Sequence, residues 1–448
     1  MQSSSLAQAC ARAVATAAAT SALLFAALTV QAQAAPVVPR LAVGTAPPAW
    51  PTLTLPQALA LADSAYPALK SRQAQLAAAE GAQTDANALL SSNPVLSLEQ
   101  TRRSVPLAGQ PPESRREWHT GLSQPLEIAG QRGYRRDAAT AALAALRSEI
   151  EDARRVARTN VSERFHRVLA RQQRVALEGE AVTLFDETAV AIQKRRVAGE
   201  DTRLDANIAA VEAERARNQL AIAQEQLLDA RIELAATLQL PPSNLPQAVG
   251  DLGMPQRDLP LADLLASVDA QPRLRALRDR ESSASARLQL EQASVYPDVT
   301  VGVTVGREGP GAARERLTTL TVSVPLPLFK RNALGIGQAR SELGQVQIER
   351  ETTWRDGRAS VSALWLKLAS LESRVHRLQD SMLPALADNQ NLSIKSQRAG
   401  QIGLLELIVV NRQALDARRD LIDALADYHA TRDALEAAAG VSLDSTAP

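Results

Sequence analysis

The residues able to do acid–base or metal chemistry are few and lie far apart in the sequence. The chain has four histidines and one cysteine among its 448 residues. His119 falls in a predicted strand, without a neighbour that completes a usual metal-binding motif. The other three fall in long predicted helices and also lack such a neighbour: His166, His376 and His429. No phosphate-binding glycine loop or nucleophile elbow is present. We therefore predict no catalytic residues, no cofactor and no metal ligands, with each histidine a packing or surface residue.

The composition indicates a helical protein without a nucleic-acid partner. Fifty basic residues nearly balance 49 acidic ones, and aromatic residues make up 3% of the chain. A basic patch is therefore not predicted. Alanine, leucine, arginine, glutamate and glutamine dominate most of the sequence, which is typical of long helices.

The first residues have the features of a secretory signal peptide. Arg12 precedes an apolar run from Ala13 to Leu28, and Ala32-Gln33-Ala34 offers small residues for cleavage near Ala34. An N-terminal membrane anchor is the alternative, but the run is shorter than the roughly 20 residues that a spanning helix needs. No later segment reaches the length of a transmembrane helix, so entry into a membrane would require strands.

A repeat with a period of about 200 residues divides the chain into two similar halves. Four pairs of markers recur in the same order: Leu55-Pro56 with Leu259-Pro260, Asn93-Pro94 with Tyr296-Pro297, Ser123-Gln124-Pro125-Leu126 with Ser323-Val324-Pro325-Leu326, and Gly199 with Gly400. We predict the following segments: a signal peptide (1–34), an N-terminal linker (35–52), a first repeat (53–240), an inter-repeat linker (241–258), a second repeat (259–441) and a tail (442–448).

Each half is predicted to contain a helix, two strands and two long helices. The first helix is expected from Pro56 to Ser92, and a helix about 100 Å long is expected between Gly133 and Val197. Apolar residues spaced by three and four on these helices predict a coiled-coil seam. Pro384 predicts a kink that the first half lacks. The strands are expected at about 94–104, 116–127, 297–307 and 315–328, with an irregular loop from Val105 to Glu117 in the first half.

Four strands with alternating apolar and small polar residues cannot close into a barrel by themselves. An open edge in lipid would leave backbone groups without hydrogen bonds, so several chains must share one barrel if these strands enter a membrane. Three copies would supply twelve strands. The alternative is a small soluble sheet that caps a helical bundle in the periplasm.

Two segments carry a resemblance to a known family. Gln124–Arg132 and Val324–Asn332 resemble segments of TolC family outer-membrane efflux proteins, and most closely those of the CzcC-type branch, which serves heavy-metal RND efflux systems. The second segment is similar to a strand-exit motif of that branch and is the more specific of the two. The resemblance implies a mainly α fold with a small antiparallel β part, a twofold repeat, a long α-barrel in the periplasm and a trimeric 12-stranded barrel in the outer membrane of a Gram-negative cell. It also implies a periplasmic adaptor and an inner-membrane RND pump as partners.

The resemblance also assigns roles to the turns between the long helices. Gly199 and Glu200 in the first half, and Gly400 and Gln401 in the second, are expected to form adaptor-contacting tips, although they are equally compatible with plain turns. Glu406 and Asp205 follow the two glycines at the same offset and are the candidates for a periplasmic gate. Glu406 would form a ring of three carboxylates in a trimer, which favours cations. The family's second acid is replaced here by Val409, and a solvated helix carboxylate is the alternative.

The arginines near the strand connections are a further charged group, and they would meet anionic lipopolysaccharide if the connections face outward: Arg102, Arg103, Arg115, Arg116, Arg314 and Arg316. The predicted function is export of divalent heavy-metal cations of the cobalt-zinc-cadmium type. A general duct for drugs and organic solutes and a soluble periplasmic coiled-coil scaffold are the alternatives.

Overall fold

We analysed a computed structural model of the chain, which describes residues 52–107, 109–255, 260–309 and 314–441. The predicted signal peptide, the N-terminal linker up to residue 51 and the C-terminal tail lie outside the described residues. Within them the chain is mostly helical, with one four-stranded antiparallel sheet and one short parallel pair. The predicted mainly α class with a small antiparallel β part is confirmed.

The same order of elements runs through both halves. The first half contains β1 (Thr52–Thr54), α1 (Leu55–Ala65), α2 (Pro67–Ala74), α3 (Leu76–Asn87), β2 (Val95–Leu107), β3 (Gln110–Leu126), α4 (Gln131–Val197) and α5 (Arg203–Thr237). The inter-repeat linker and second half contain β4 (Gln247–Val249), α6 (Leu261–Ser267), a 3-10 turn (Val268–Ala270), α7 (Pro272–Ala293), β5 (Val299–Glu308), β6 (Glu315–Ser323), α8 (Ala333–His376), a π-helical segment (Arg377–Met382), α9 (Leu383–Arg398) and α10 (Leu404–Ala439).

The first helical region is broken where a single helix from Pro56 to Ser92 was predicted. Tyr66 is extended (φ −62°, ψ 119°) because the proline ring of Pro67 disfavours helical backbone in the residue before it. A second, milder break lies at Gln75, whose N–H bonds Arg72 O. The second half repeats the proline break, since Pro272 begins α7 directly after an extended residue.

Helix α4 is continuous over 67 residues, which corresponds to about 100 Å and confirms the predicted long helix. It begins after Gly130, whose φ of 79° is left-handed and free of strain only in glycine. The predicted seam is largely buried, and its buried members include Leu143, Leu146, Ala157, Ala223, Leu227, Ala230, Leu234 and Leu238.

The equivalent helix of the second half is interrupted by the π-helical segment directly before Pro384. Proline has no N–H to donate, and its ring clashes with the carbonyl four residues earlier, so the regular bonding pattern fails at this place. A π turn takes up the misfit within the helix. The predicted irregularity at Pro384 is thus present as a change of helix type.

The four-stranded sheet has the order β2-β3-β5-β6, and all of its neighbours are antiparallel. The β2–β3 ribbon extends beyond β5, so most of the segment predicted as a loop from Val105 to Glu117 is strand. The register of this extension pairs Arg102 with Arg116 and Ser104 with Ser114. The ladder shifts register between Val105 and Leu107, around Pro106, which lacks a backbone donor.

Three buried clusters hold the helices together. The central cluster includes the parallel pair of β1 and β4, where Leu53 and Ala248 pack in the same group as Phe165 and Leu169 of α4. The inter-repeat linker is thereby fixed against the first half. In the described part of the chain, no helix combines the length and the apolar character needed to cross a membrane.

Candidate functional site

The four-stranded sheet has one apolar face. Because directly paired residues in an antiparallel sheet point to the same side, the register defines this face across all four strands. Its exposed members are Leu96, Leu98, Trp118, Leu122, Val303, Val305, Leu320 and Val322. Leu98 is 73% exposed and Leu320 is 69% exposed, so an extended apolar surface lies open on a single chain. Surfaces of this kind mark contact with a partner or a membrane.

The opposite face of the sheet is small and polar. It carries Ser97, Gly121, Ser123, Gly302, Thr304, Thr319, Thr321 and Ser323. A Cβ at Gly121 would lie 2.6 Å from Ser97 Oγ and 2.9 Å from Thr304 Oγ1, so glycine leaves space here for two hydroxyl groups. A face of hydroxyls and glycines suits contact with water and hydrated ions.

Acidic residues and a histidine gather at the hairpin end of this polar face. Glu117 and Glu308 each lie next to a member of the cross-strand pair Trp118–Arg307, and Glu117 is 2% exposed. His119 Nε2 lies 3.3 Å from Glu308 Oε1, and Arg103 Nη2 lies 3.5 Å from Glu117 Oε2. Gly306 faces His119, and a Cβ there would lie 2.4 Å from His119 Nδ1.

Ligand atoms of Glu117, His119 and Glu308 all lie within 4.8 Å of one another, close enough to contact one divalent cation together. This cluster is not evident from the sequence, because the three residues come from two strands of different halves. The alternation of β3 and β5 could have indicated a shared face, but the spacing in the chain could not reveal their pairing.

The two hairpin tips have the same backbone. Gly199 and Gly400 are left-handed, with φ of 85° and 73°. In the first tip Glu200 N bonds Arg195 O at 2.9 Å, and in the second Gln401 N bonds Ser396 O at 2.9 Å. In each tip the glycine N–H also bonds the carbonyl three residues earlier, which completes a Schellman motif. The predicted tip turns are therefore present, and their contact with an adaptor stays a prediction.

The two gate candidates occupy the same position in the first turn of α5 and of α10, but their surroundings differ. Asp205 Oδ2 accepts hydrogen bonds from Thr202 Oγ1 (2.6 Å) and Thr202 N (3.1 Å) in a capping box. These bonds, first of all that from the Thr202 side chain, hold the pKa of Asp205 below its ordinary value. The carboxylate of Asp205 is therefore engaged in capping the N-terminus of its own helix.

Glu406 has no such partner in the part of the chain that the structure describes. The N-cap residue of α10 is Gly403, which has no side chain to bind the carboxylate, and Glu406 is exposed. A Cβ placed on Gly403 would lie 2.9 Å from Glu406 Oε2. Val409, one turn further along, is 45% exposed. Of the two predicted gate residues, Glu406 has the free carboxylate.

Two buried ion pairs join α10 of the second half to the first half. Glu178 on α4 is 1% exposed and accepts hydrogen bonds from Arg174 Nε (2.7 Å) and Arg419 Nε (2.9 Å). Burial alone raises the pKa of Glu178, but the hydrogen bonds from Arg419 and Arg174 outweigh it and keep that pKa below its ordinary value. Closer to the tips, Arg412 Nε donates to Glu212 Oε2 at 2.9 Å.

Two histidines predicted to be separate packing or surface residues form one buried cluster. The rings of His166 and His429 stack with centroids 4.3 Å apart, and His166 Nδ1 lies 3.1 Å from Asp433 Oδ2. His429 Nε2 lies 3.1 Å from the carbonyl oxygen of Leu252 in the inter-repeat linker. Burial lowers the pKa of His429, and the neighbouring His166 adds to this. Both histidines are therefore packing residues, and their contact, which joins the two halves, could not be inferred from spacing.

An open sheet with one apolar face, joined to helices of this length, is also found in solved outer-membrane channels. The solved structure of CusC covers 88% of this chain with a TM-score of 0.72 at 16% identity. The outer membrane protein VceC of Vibrio cholerae covers 87% with a TM-score of 0.72 at 18% identity. The MtrE outer membrane channel of Neisseria gonorrhoeae covers 87% with a TM-score of 0.69 at 16% identity. These likenesses establish the fold.

Sequence comparison finds efflux and export proteins among the relatives of the chain. Residues 267–441 match the family model described as "Outer membrane efflux protein". The chain is 28% identical over 397 residues to the cobalt-zinc-cadmium resistance protein CzcC of Cupriavidus metallidurans, covering 86% of this chain and 87% of that protein. It is 24% identical over 249 residues to the pyoverdine export outer membrane protein OpmQ of Pseudomonas putida, which covers 48% of this chain and 52% of that protein.

The resemblance to TolC family outer-membrane efflux proteins, and to their CzcC-type branch, is thereby confirmed. The outer-membrane efflux proteins that the chain resembles are transport ducts, and the prediction that the chain is not an enzyme is confirmed as well.

Proposed function

We propose that the chain is the outer-membrane channel subunit of a tripartite RND-type efflux system and that it conducts divalent heavy-metal cations passively to the exterior. The observation that carries this proposal is the similarity to a cobalt-zinc-cadmium resistance protein over most of both chains. The fold and the family match support the channel, and the name of this relative supports the substrate class.

The sheet supports a barrel shared by three copies. The edge strands β2 and β6 each have one unpaired edge. Lipid offers no hydrogen-bond partners to the backbone N–H and C=O groups of these edges. Because β2 and β6 run in opposite directions within the sheet, β6 of one copy pairs with β2 of the next in the same antiparallel sense. Three copies then give a closed barrel of twelve strands, with the apolar faces toward lipid and the polar faces toward the lumen.

The long helices join the strands at the end away from the β2–β3 and β5–β6 connections, and they form the periplasmic part of the channel. Their tips, at Gly199–Glu200 and Gly400–Gln401, are the surface for a periplasmic adaptor, which links the channel to the inner-membrane pump. All four of these tip residues are exposed and therefore accessible to a partner.

Fixed negative charge along the conduit gives cations the lower barrier. Glu406 forms a ring of three carboxylates near the tips, and Glu117, His119 and Glu308 place ligands on the lumen side of the barrel. A conduit needs weak and repeated contacts, since tight binding would slow release. The absence of the second acid at Val409 leaves one ring at the tip instead of two.

Growth of a deletion strain tests the substrate class. We expect the strain to lose resistance to cobalt, zinc or cadmium and to regain it with the wild-type gene on a plasmid. A panel of dyes and pyoverdine provides the comparison, because the similarity to a pyoverdine export protein is what supports the organic-solute alternative. Sensitivity to the organic compounds with unchanged metal tolerance contradicts the cation proposal and supports the organic duct. Recovery of the protein as a monomer in the periplasmic extract supports the scaffold alternative instead.

A further inference from the structure

The hairpin end of the apolar face carries a group of arginines that spans all four strands. Arg102 on β2 is paired directly with Arg116 on β3, and Arg307 on β5 is paired directly with Arg316 on β6. Trp118, also on the apolar face, is paired with Arg307. All four arginines are exposed. We call them the arginine band. Of the arginines predicted near the connections, Arg103 and Arg115 instead lie on the polar face, while Arg307 is added.

The arginine band has no internal counter-charge in the described part of the chain. No ion pair there joins any of its four members to a carboxylate, since the acids at this end, such as Glu117 and Glu308, lie on the polar face. Arg102 Nε donates to Ser114 Oγ at 3.2 Å, which is a neutral contact. Like charges placed directly opposite each other across strands are unfavourable. Anions from outside the chain would relieve this repulsion.

The position of the band identifies the kind of anion. The arginines follow directly on the apolar surface, and Trp118 lies at the boundary between the two. Tryptophan side chains are enriched at the level of lipid headgroups, with the ring in the apolar layer and the N–H toward water. From Trp118 to Leu126, β3 pairs with β5 over about nine residues, the length that a tilted strand needs to cross the hydrocarbon layer. The band therefore lies at headgroup depth.

The chemistry of guanidinium groups then selects phosphate. A guanidinium group presents paired N–H donors that match two phosphate oxygens, and exposed arginines of this density form a strong electrostatic surface. We propose that the arginine band binds the phosphate groups of anionic lipids in the outer leaflet of the membrane. In a trimer the bands of three chains would form a continuous girdle around the barrel. This inference rests on the proposed function, because it places the apolar face in the outer membrane.

Native mass spectrometry of the purified full-length protein in detergent tests the inference. Bound lipid is counted after incubation with phosphorylated lipid A, with dephosphorylated lipid A, or with inorganic phosphate. We expect the wild type to retain phosphorylated lipid A. The Arg307→Gln/Arg316→Gln variant is expected to retain at most about one tenth of the amount of lipid bound by the wild type. The Arg103→Gln/Arg115→Gln variant is the matched control, because it removes the same charge from the same end of the sheet on the polar face. We expect it to retain lipid like the wild type.

Four results would overturn the inference. Equal retention by the wild type and the Arg307→Gln/Arg316→Gln variant excludes a role of the band. Equal retention of phosphorylated and dephosphorylated lipid A by the wild type shows recognition of acyl chains instead of phosphate. Because this comparison uses the wild type alone, it tests phosphate recognition even if a variant does not assemble. Full displacement of lipid A by inorganic phosphate indicates a free-phosphate site. A conducting trimer that retains no lipid rejects this inference alone, whereas a monomer that never conducts rejects the proposed function.

Discussion

The two hairpin tips differ in the use of one acidic residue, although their backbones agree bond for bond. In the first tip Asp205 is bound by both the hydroxyl and the amide of Thr202. In the second tip Glu406 occupies the same helical position, but the capping residue is Gly403 and the carboxylate is exposed. The backbone of the tip is thus the same in both halves, but of the two equivalent acids only Glu406 has a free carboxylate.

The helices that lead to the tips differ in the same sense. In the first half α4 is unbroken, and Glu178 ties it to Arg419 of α10. In the second half the equivalent helix changes to π geometry before Pro384. We therefore expect the first half to act as the rigid frame of the periplasmic part and the second half to carry the adjustable tip with the free acid.

Breaking the second tip is expected to have the largest effect. Gly400→Pro replaces a residue at φ 73° by one restricted to about −65°, and it also removes the N–H that bonds Gln397 O. We expect export to be abolished while heat-labile trimers still reach the outer membrane, as measured by metal tolerance and by unheated gel migration. Gly400→Asn is the control, because asparagine tolerates left-handed backbone. Normal export by the proline variant would count against docking at this tip.

Removing the buried carboxylate of the first half tests whether it forms a rigid frame. Glu178→Ala leaves Arg174 and Arg419 without their shared acceptor, and loss of one partner from a buried pair costs about 3–5 kcal/mol of folding free energy. The midpoint of urea unfolding of the purified protein measures this loss.

The matched control for Glu178 is Glu180→Ala on the same helix. Glu180 pairs with Arg418 at 3.5 Å but its side chain is 68% exposed, and such pairs contribute about 0–1 kcal/mol. Equal destabilisation by the two variants would contradict the importance of the buried pair.

Neutralising the two tip acids separately tests their different roles. Glu406→Gln removes the ring of carboxylates and is expected to lower the cation-to-anion permeability ratio on the order of twofold. Asp205→Asn is expected to leave this ratio unchanged, because the side chain of Asp205 is engaged with Thr202. Reversal potentials in a salt gradient across a planar bilayer measure both. An equal effect of the two substitutions would remove the distinction between the tips.

A small pH effect is expected from the histidine cluster that joins the halves. The pKa of His429 is lowered in the folded chain, so on acidification through about 6.5 the unfolded chain binds a proton that the folded chain does not. Stability is therefore lost as the pH falls. The groups that face His429 are His166, Asp433 and Arg432.

We expect the melting temperature of the wild type to fall by a few degrees between pH 7.5 and pH 5.5 on this account. The His429→Gln variant is expected to show a weaker dependence over the same interval. A dependence identical in the two proteins would assign the pH effect to other groups.

Structural features that depend on residues close together in the chain were predictable from the sequence. The alternation in β5 and β6, the length of α4 and the disturbance at Pro384 follow from local backbone and side-chain preferences. The break at Tyr66 was missed although its cause is also local, because the helical pattern on both sides obscured the effect of Pro67.

Features that join the two halves were not predictable. Glu178 and Arg419 are 241 residues apart, and Glu117 meets Glu308 only after β3 pairs with β5. Their proximity depends on the register of strands and the packing of helices, for which a single sequence carries no periodic signal. The tip glycines were found because a left-handed turn needs a particular residue, whereas the roles of Asp205 and Glu406 differ only through the residues that cap their helices.

The most direct test of the central claim is the conductance of the purified full-length protein in a planar bilayer. We predict stepwise conductance with a preference for cations, from a species that migrates as a heat-labile trimer. A protein that remains monomeric and never raises the conductance above that of the bare bilayer would contradict the account.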